Sequence, residues 1–264
     1  MTFTGFNVPL PKYEVITPQT KLSFTLRTLT VQEEERLKGS LLTPPKITEH
    51  LNKCIFDAII DKPKSITDFD SFLRHTTLKD RETLLYGLYH VSYEEIRNYE
   101  VTCGRCGKSY PVTVIASDTF SFKQFPEKDI LKKRVPINLP ITKGVKAIIK
   151  QPSMFDEITA LKSLLNRPGI NTDLVLETLV IDRFEQDQLE AKEPIIFSDR
   201  IDIIDAFLSL AARDKKIINK TYNDSFGQYC SELRMKVFCQ HCGFEDEIEI
   251  DLVENFFRAI SSAQ

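Results

Sequence analysis

The chain has 264 residues, 42% hydrophobic and 28% charged, which excludes disorder and collagen-like repeats; its six cysteines are too sparse for a disulfide scaffold. A net charge of −3 and a pI ≈ 5.9 disfavour a dominant nucleic-acid-binding surface, which usually leaves a basic balance. No stretch reaches the ~18 apolar residues of a membrane helix, and residues 1–13 lack a basic start followed by an apolar block. The expectation is a soluble protein kept in a reducing cytoplasm, without membrane contact.

In chain order, residues 21–29 read as a strand. Thr30 and Glu33 form a capping box ahead of a helix at 34–38. Ile47, Leu51, Ile55 and Ile59 share one stripe of a helix over 48–61. Asp68 caps a short helix with Phe69, Phe72 and Leu73. Thr77 and Asp80 box the start of another, which carries Leu84, Leu85 and Leu88. A hairpin over 99–114 follows. Residues 123–139, with Pro126, Pro136 and many charges, read as a connector.

Beyond it, residues 144–151 read as a strand, and Ser153 with Asp156 opens a helix carrying Ile158, Leu161 and Leu165. Leu174, Leu176, Leu179, Ile181 and Phe184 are assigned to a single amphipathic helix over 172–184. Ile203, Ile204, Phe207, Leu208 and Ala211 mark the next. A second hairpin leads into a terminal helix with Val253, Phe256, Phe257 and Ile260. Phe256 and Phe257 are adjacent and so point to different faces. They are the candidate partner-binding residues.

Four cysteines carry the chemistry. Cys103-Gly-Arg-Cys106-Gly and Cys239-Gln-His-Cys242-Gly are matching C-x-x-C units, each between strand-like residues. The spacing lets two thiolates converge on one ion, and the following glycine can take the positive φ of a tight knuckle. Two such units complete a closed tetrahedral zinc site, as in zinc ribbons. Ordinary ribbons have about 15–20 residues between pairs, whereas here 132 intervene, so one structural zinc per chain would tie distant segments together. The rival reading is a redox dithiol, but a thioredoxin-like C-x-x-C leads into a helix and neither pair here does. His241 is expected to point away from the ion. Cys54 and Cys230 read as buried thiols.

Aligning the knuckles shifts the sequence by 136 positions, pairing Val101 with Val237, Val112 with Ile248 and Phe120 with Phe256. The fold class expected is therefore α+β and mainly helical, with two similar helix-plus-hairpin halves joined at a zinc-ribbon-like site of four cysteines. The halves span residues 1–122 and 140–264, with 123–139 between them.

Nucleophile elbow, phosphate loop and H-E-x-x-H are absent from the sequence. His50, His75, His90 and His241 read as ordinary surface or core histidines. Four cysteines close a zinc shell that catalysis would need open, so no catalytic residue is assigned.

The layout resembles the T4-type phage baseplate hub and tail-assembly proteins. The resemblance rests on strand 22–29 leading into Thr30-Val31-Gln32-Glu33-Glu34-Glu35, the helix 47–61, the segment 78–95 and the hairpin 99–114 with its cysteine pair. It implies a non-catalytic role in building the tail hub, as a virion component or as an assembly factor around the tape measure protein. Other tail and baseplate proteins would be the partners. The location implied is the host cytoplasm during assembly, then the virion tail. The alternative is a zinc-ribbon nucleic-acid-binding or transcription-associated adaptor. Arg105 and Lys108 support it and the acidic balance opposes it.

Overall fold

The computed structural model describes residues 10–38, 44–93, 96–164, 171–188 and 193–250. The expected terminal helix, with Phe256 and Phe257, lies outside the described residues, as does Leu165.

The first part of the chain runs through β1 (Lys12–Ile16), β2 (Ser23–Arg27), α1 (Val31–Lys38), α2 (Pro44–Ala58), β3 (Ile59–Asp61), α3 (Phe69–His75) and α4 (Leu78–Ser92). The hairpin β4 (Ile96–Thr102) and β5 (Ser109–Ile115), a short α5 (Ala116–Thr119) and β6 (Phe120–Phe122) follow. Next come β7 (Arg134–Asn138), β8 (Val145–Lys150), α6 (Met154–Leu164), α7 (Thr172–Thr178), β9 (Ile181–Gln186) and β10 (Ile195–Phe197). The chain continues through α8 (Arg200–Ser209), α9 (Ala212–Tyr222), β11 (Ser231–Phe238) and β12 (Glu245–Ile250). The strands make four antiparallel sheets, ordered β1-β2-β3, β10-β9-β8-β7, β12-β11-β6 and β4-β5.

Local chemistry sets many of the helix starts. Asp68 accepts from the Ser71 amide at 2.8 Å and Thr77 from the Asp80 amide at 3.0 Å. Ser153 and Asp156 exchange the two bonds of a capping box, at 3.2 and 2.8 Å. Each such cap satisfies amides that the first helical turn leaves unpaired.

Helix α4 is the centre of the first core. Leu84, Leu85 and Leu88 are fully buried, and Val15 and Leu26 of the β1–β2 hairpin pack with them. The approach is close at Gly87, where a Cβ would collide with Val15 Cγ2 and sit 3.1 Å from Leu26 Cδ1. Gly87→Ala should therefore destabilise the protein by about 1–3 kcal/mol through overpacking, outweighing the ~1 kcal/mol gain in helix propensity. Urea denaturation checks this, and a more stable variant would refute the close approach.

Buried carboxylates anchor two strand turns. Asp80 of α4 accepts from the Gln19 amide at 2.9 Å and the Thr20 hydroxyl at 2.7 Å in the β1–β2 turn. Asp214 of α9 accepts from the Thr142 amide at 2.8 Å and the Thr142 hydroxyl at 2.7 Å in the β7–β8 turn. A second core gathers Ile137, Ala147, Ile149, Ile181, Phe184, Ile203 and Phe207. Helix α6 instead turns toward the first core, to which it gives Met154 and Ile158. Arg81 of α4 and Glu157 of α6 form a two-pronged ion pair there, with Arg81 Nη2 3.1 Å from Glu157 Oε1.

The expectation of a mainly helical protein made of two similar helix-plus-hairpin halves is corrected by this arrangement. The described residues are 42% helical and 29% strand, in four sheets. Nor is a duplication into two similar halves shown. Among the described residues, one sheet has three strands where the other has four, and β6 joins the second knuckle hairpin while the first is a two-stranded ribbon. The single helix expected over 172–184 is a helix that ends at Thr178 and a strand from Ile181. Ile181 and Phe184 are buried by pairing β9 with β8. Likewise α2 ends at Ala58, and Ile59–Asp61 pairs with β2. Within 123–139, Phe125, Ile130, Ile137 and Leu139 are buried and β7 pairs with β8.

Candidate metal centre

The centre is built on two hairpins with a common root. Val114 of β5, Leu233 of β11 and Ile250 of β12 all lie in the first core, with Tyr99, Val112 and Met235 packed against it. From that root the ladders run out to Thr102↔Ser109 in one hairpin and Phe238↔Glu245 in the other. Each ladder stops one residue before its first cysteine, so the two loops have the same length.

The loops also share their internal bonds. The Cys103 amide donates to Lys108 O at 3.0 Å and the Gly107 amide to Cys103 O at 2.9 Å. The Cys239 amide donates to Phe244 O and the Gly243 amide to Cys239 O, both at 2.9 Å. Gly107 and Gly243 have φ of 69° and 68°, the left-handed region where a side chain is costly. Amides turn onto the first sulfur of each pair, with Arg105 N 3.4 Å from Cys103 Sγ and His241 N 3.4 Å from Cys239 Sγ. Such donors favour the thiolate over the thiol.

The four sulfurs meet across the hairpins. Cys103 Sγ lies 3.8 Å from Cys242 Sγ and Cys106 Sγ 3.7 Å from Cys239 Sγ, and all four fall within 4.8 Å of one another. A tetrahedron with Zn–S bonds of about 2.3 Å has S···S edges of about 3.8 Å. The donor set thus fits a four-coordinate thiophilic cation, and all four cysteines are free of disulfides.

Electrostatics favours the same occupant. The Cys106 amide bond is the main influence bringing the Cys103 thiol down to about 7. At Cys242 the Phe244 amide favours the thiolate, but burial and the Cys239, Cys106 and Cys103 sulfurs together push the thiol up to about 11. Four thiolates so close repel one another, and a divalent cation relieves that repulsion.

Cys103 and Cys239 face inward against Tyr110, with Val101, Val112 and Phe244 around them, while Cys106 and Cys242 are exposed. This apolar collar was not singled out from the sequence, although strand alternation through Val101 and Val112 carries its signal. His241 points away from the sulfurs and places Nε2 3.2 Å from Ser109 O of the opposite knuckle. The His90 ring packs against Tyr13, tilted by 50° with ring centroids 4.3 Å apart, and His75 Nδ1 lies 2.8 Å from Ser71 O. Cys54 and Cys230 lie outside the cluster, where burial is the main influence pushing their thiols up to about 12 and about 11.

The family model for the T4 bacteriophage base plate protein matches residues 10–258, nearly the whole chain. The chain belongs to this baseplate protein family. Its membership puts the protein in the phage tail, with other tail proteins as its partners. No curated protein and no solved structure matches the chain. Among its described residues, no helix of this baseplate family member is long and apolar enough to cross a membrane.

Proposed function

We propose that this protein is a non-catalytic structural or assembly component of the baseplate hub, acting through protein–protein binding and carrying one structural zinc per chain. The observation that carries the reading is the closed set of four thiols contributed equally by two hairpins whose cysteine pairs are far apart in sequence. Cys103, Cys106, Cys239 and Cys242 would hold the ion. Its charge would keep the four sulfurs as thiolates, and the shell leaves no open position for substrate. Thiolate ligands select zinc over hard cations such as magnesium and calcium.

The protein's own residues do the rest. The shared apolar root brings the hairpins together, and the paired knuckles fix a rigid surface for tail partners, the tape measure protein among them. Phe256 and Phe257 supply candidate apolar anchors, since a few buried aromatic side chains carry most interface energy. Elemental analysis of protein purified from tail-assembly intermediates tests the metal. One zinc per chain supports the reading, and none or two overturns it. Phe256→Asp and Phe257→Asp, made separately, test the anchors. Loss of tail-partner co-purification with zinc retained in either variant supports the anchor role, and an undiminished complex in both removes these residues from the interface. Tight DNA binding that weakens steeply with salt would move the protein to the adaptor alternative.

A further inference from the structure

The two knuckles meet at places other than the sulfurs. His241, between Cys239 and Cys242, sets its Nε2 3.2 Å from Ser109 O of the first hairpin. A carbonyl oxygen only accepts, so Nε2 carries the proton and donates it. The tips also pass closely at Gly104, where a Cβ would lie 3.5 Å from Asp246 Oδ2.

Both ends of the His241 bond belong to the framework of the sulfur cluster. The His241 amide lies 3.4 Å from Cys239 Sγ. One residue therefore holds a sulfur of its own pair through the backbone and the opposite hairpin through the side chain. Ser109 closes the first ladder opposite Thr102, and the two hydroxyls are 3.0 Å apart. Thr102 precedes Cys103, whose amide donates back to Lys108 O at 3.0 Å. A short path of bonded groups thus runs from Cys239 Sγ through His241 and Ser109 to Cys103. Arg105 stands at the corresponding place in the first knuckle, so a single imidazole makes this tie.

We propose that His241 is a positioning residue of the metal centre, holding the two knuckles at the separation where four thiolates reach one ion. It acts through Ser109 and not as a ligand, since neither of its ring nitrogens belongs to the donor cluster. Four thiolates repel one another until a cation binds. A bond that holds the tips together beforehand offsets part of the cost of assembling the site, and so raises metal affinity. The proposal rests on the zinc reading above and adds a residue that tunes that site.

The test is a zinc competition titration of the full chain against a chromophoric chelator under reducing conditions. Wild type is compared with His241→Ala, His241→Gln and His241→Asn. The effect should be that of one ordinary hydrogen bond, so His241→Ala should weaken zinc binding about three- to tenfold. Gln carries an amide nitrogen where Nε2 lies and should restore most of the affinity. Asn carries it where Nδ1 lies, falls short of Ser109 O, and should not. Visible spectra of the Co(II)-loaded forms should show the same four-thiolate bands in wild type and every variant. His241 is exposed, and far-UV circular dichroism checks that each variant folds. Equal zinc affinity in His241→Ala and wild type, or rescue by Asn as full as by Gln, would overturn the positioning role and leave the zinc site standing. A Co(II) spectrum of three thiolates and one nitrogen in wild type, altered in His241→Ala, would make His241 a ligand and overturn the proposal. Failure of the wild type to bind zinc would overturn the zinc reading itself, and the positioning role with it.

Discussion

Treating the protein with a zinc chelator, or replacing Cys103 or Cys239 with Ser, should free the two knuckle hairpins from each other without unfolding the rest, if the proposed zinc is released. Zinc binding contributes on the order of 10 kcal/mol to folding in small zinc-dependent domains. Here the roots of both hairpins are held by Val114, Leu233 and Ile250 in a core that needs no ion. The loss should therefore concentrate at residues 99–112 and 235–248. Hydrogen exchange there should rise by orders of magnitude, while the amides of α4 stay protected. Far-UV circular dichroism should change little and the melting temperature should fall. Cys54→Ser is the control, because Cys54 lies outside the cluster. Unchanged exchange at both knuckles after metal removal would show that the thiols hold no structural ion.

Glu157→Ala should cost about 3–5 kcal/mol, the range for breaking a buried ion pair from one side. The Arg81 and Glu157 side chains are only 14% and 7% exposed, so removing the carboxylate strands a guanidinium between α4 and α6. Arg81 Nε already lacks a partner, which leaves little capacity to absorb the loss. In a chain of this size the melting temperature should fall by on the order of 10 °C. Replacing both partners, Arg81→Met with Glu157→Leu, should recover much of the stability, because two apolar groups leave no orphaned charge. A loss under about 1 kcal/mol for Glu157→Ala would show that water reaches Arg81 and that the pair adds little to the junction.

The sequence by itself determined what depends on neighbours within a few positions. The boxes at Thr77–Asp80 and Ser153–Asp156 and the cap at Asp68 were legible because cap and capped amide lie three residues apart. The knuckles were legible for the same reason, since C-x-x-C-G fixes both the sulfur spacing and the positive φ of Gly107 and Gly243. What failed were helix-or-strand assignments that only a distant partner decides. Leu174, Leu176, Leu179, Ile181 and Phe184 suit a buried helix or a buried strand, and pairing with β8, more than thirty residues earlier, and with β10 makes the end of that run a strand. β3, β6 and β7 likewise exist through partners brought up by the fold. Local periodicity therefore overstated the helix.

The cysteine site divides along the same line. Residue spacing determined which four thiols could share an ion. Tertiary structure alone decided that they meet, because their convergence depends on the root formed by Val114, Leu233 and Ile250 and on equal tip-loop lengths in two hairpins. A hairpin carries its register in its own turn, but no local signal specifies contact between tips 133 positions apart. That contact depends on the non-local burial of apolar surface beneath them.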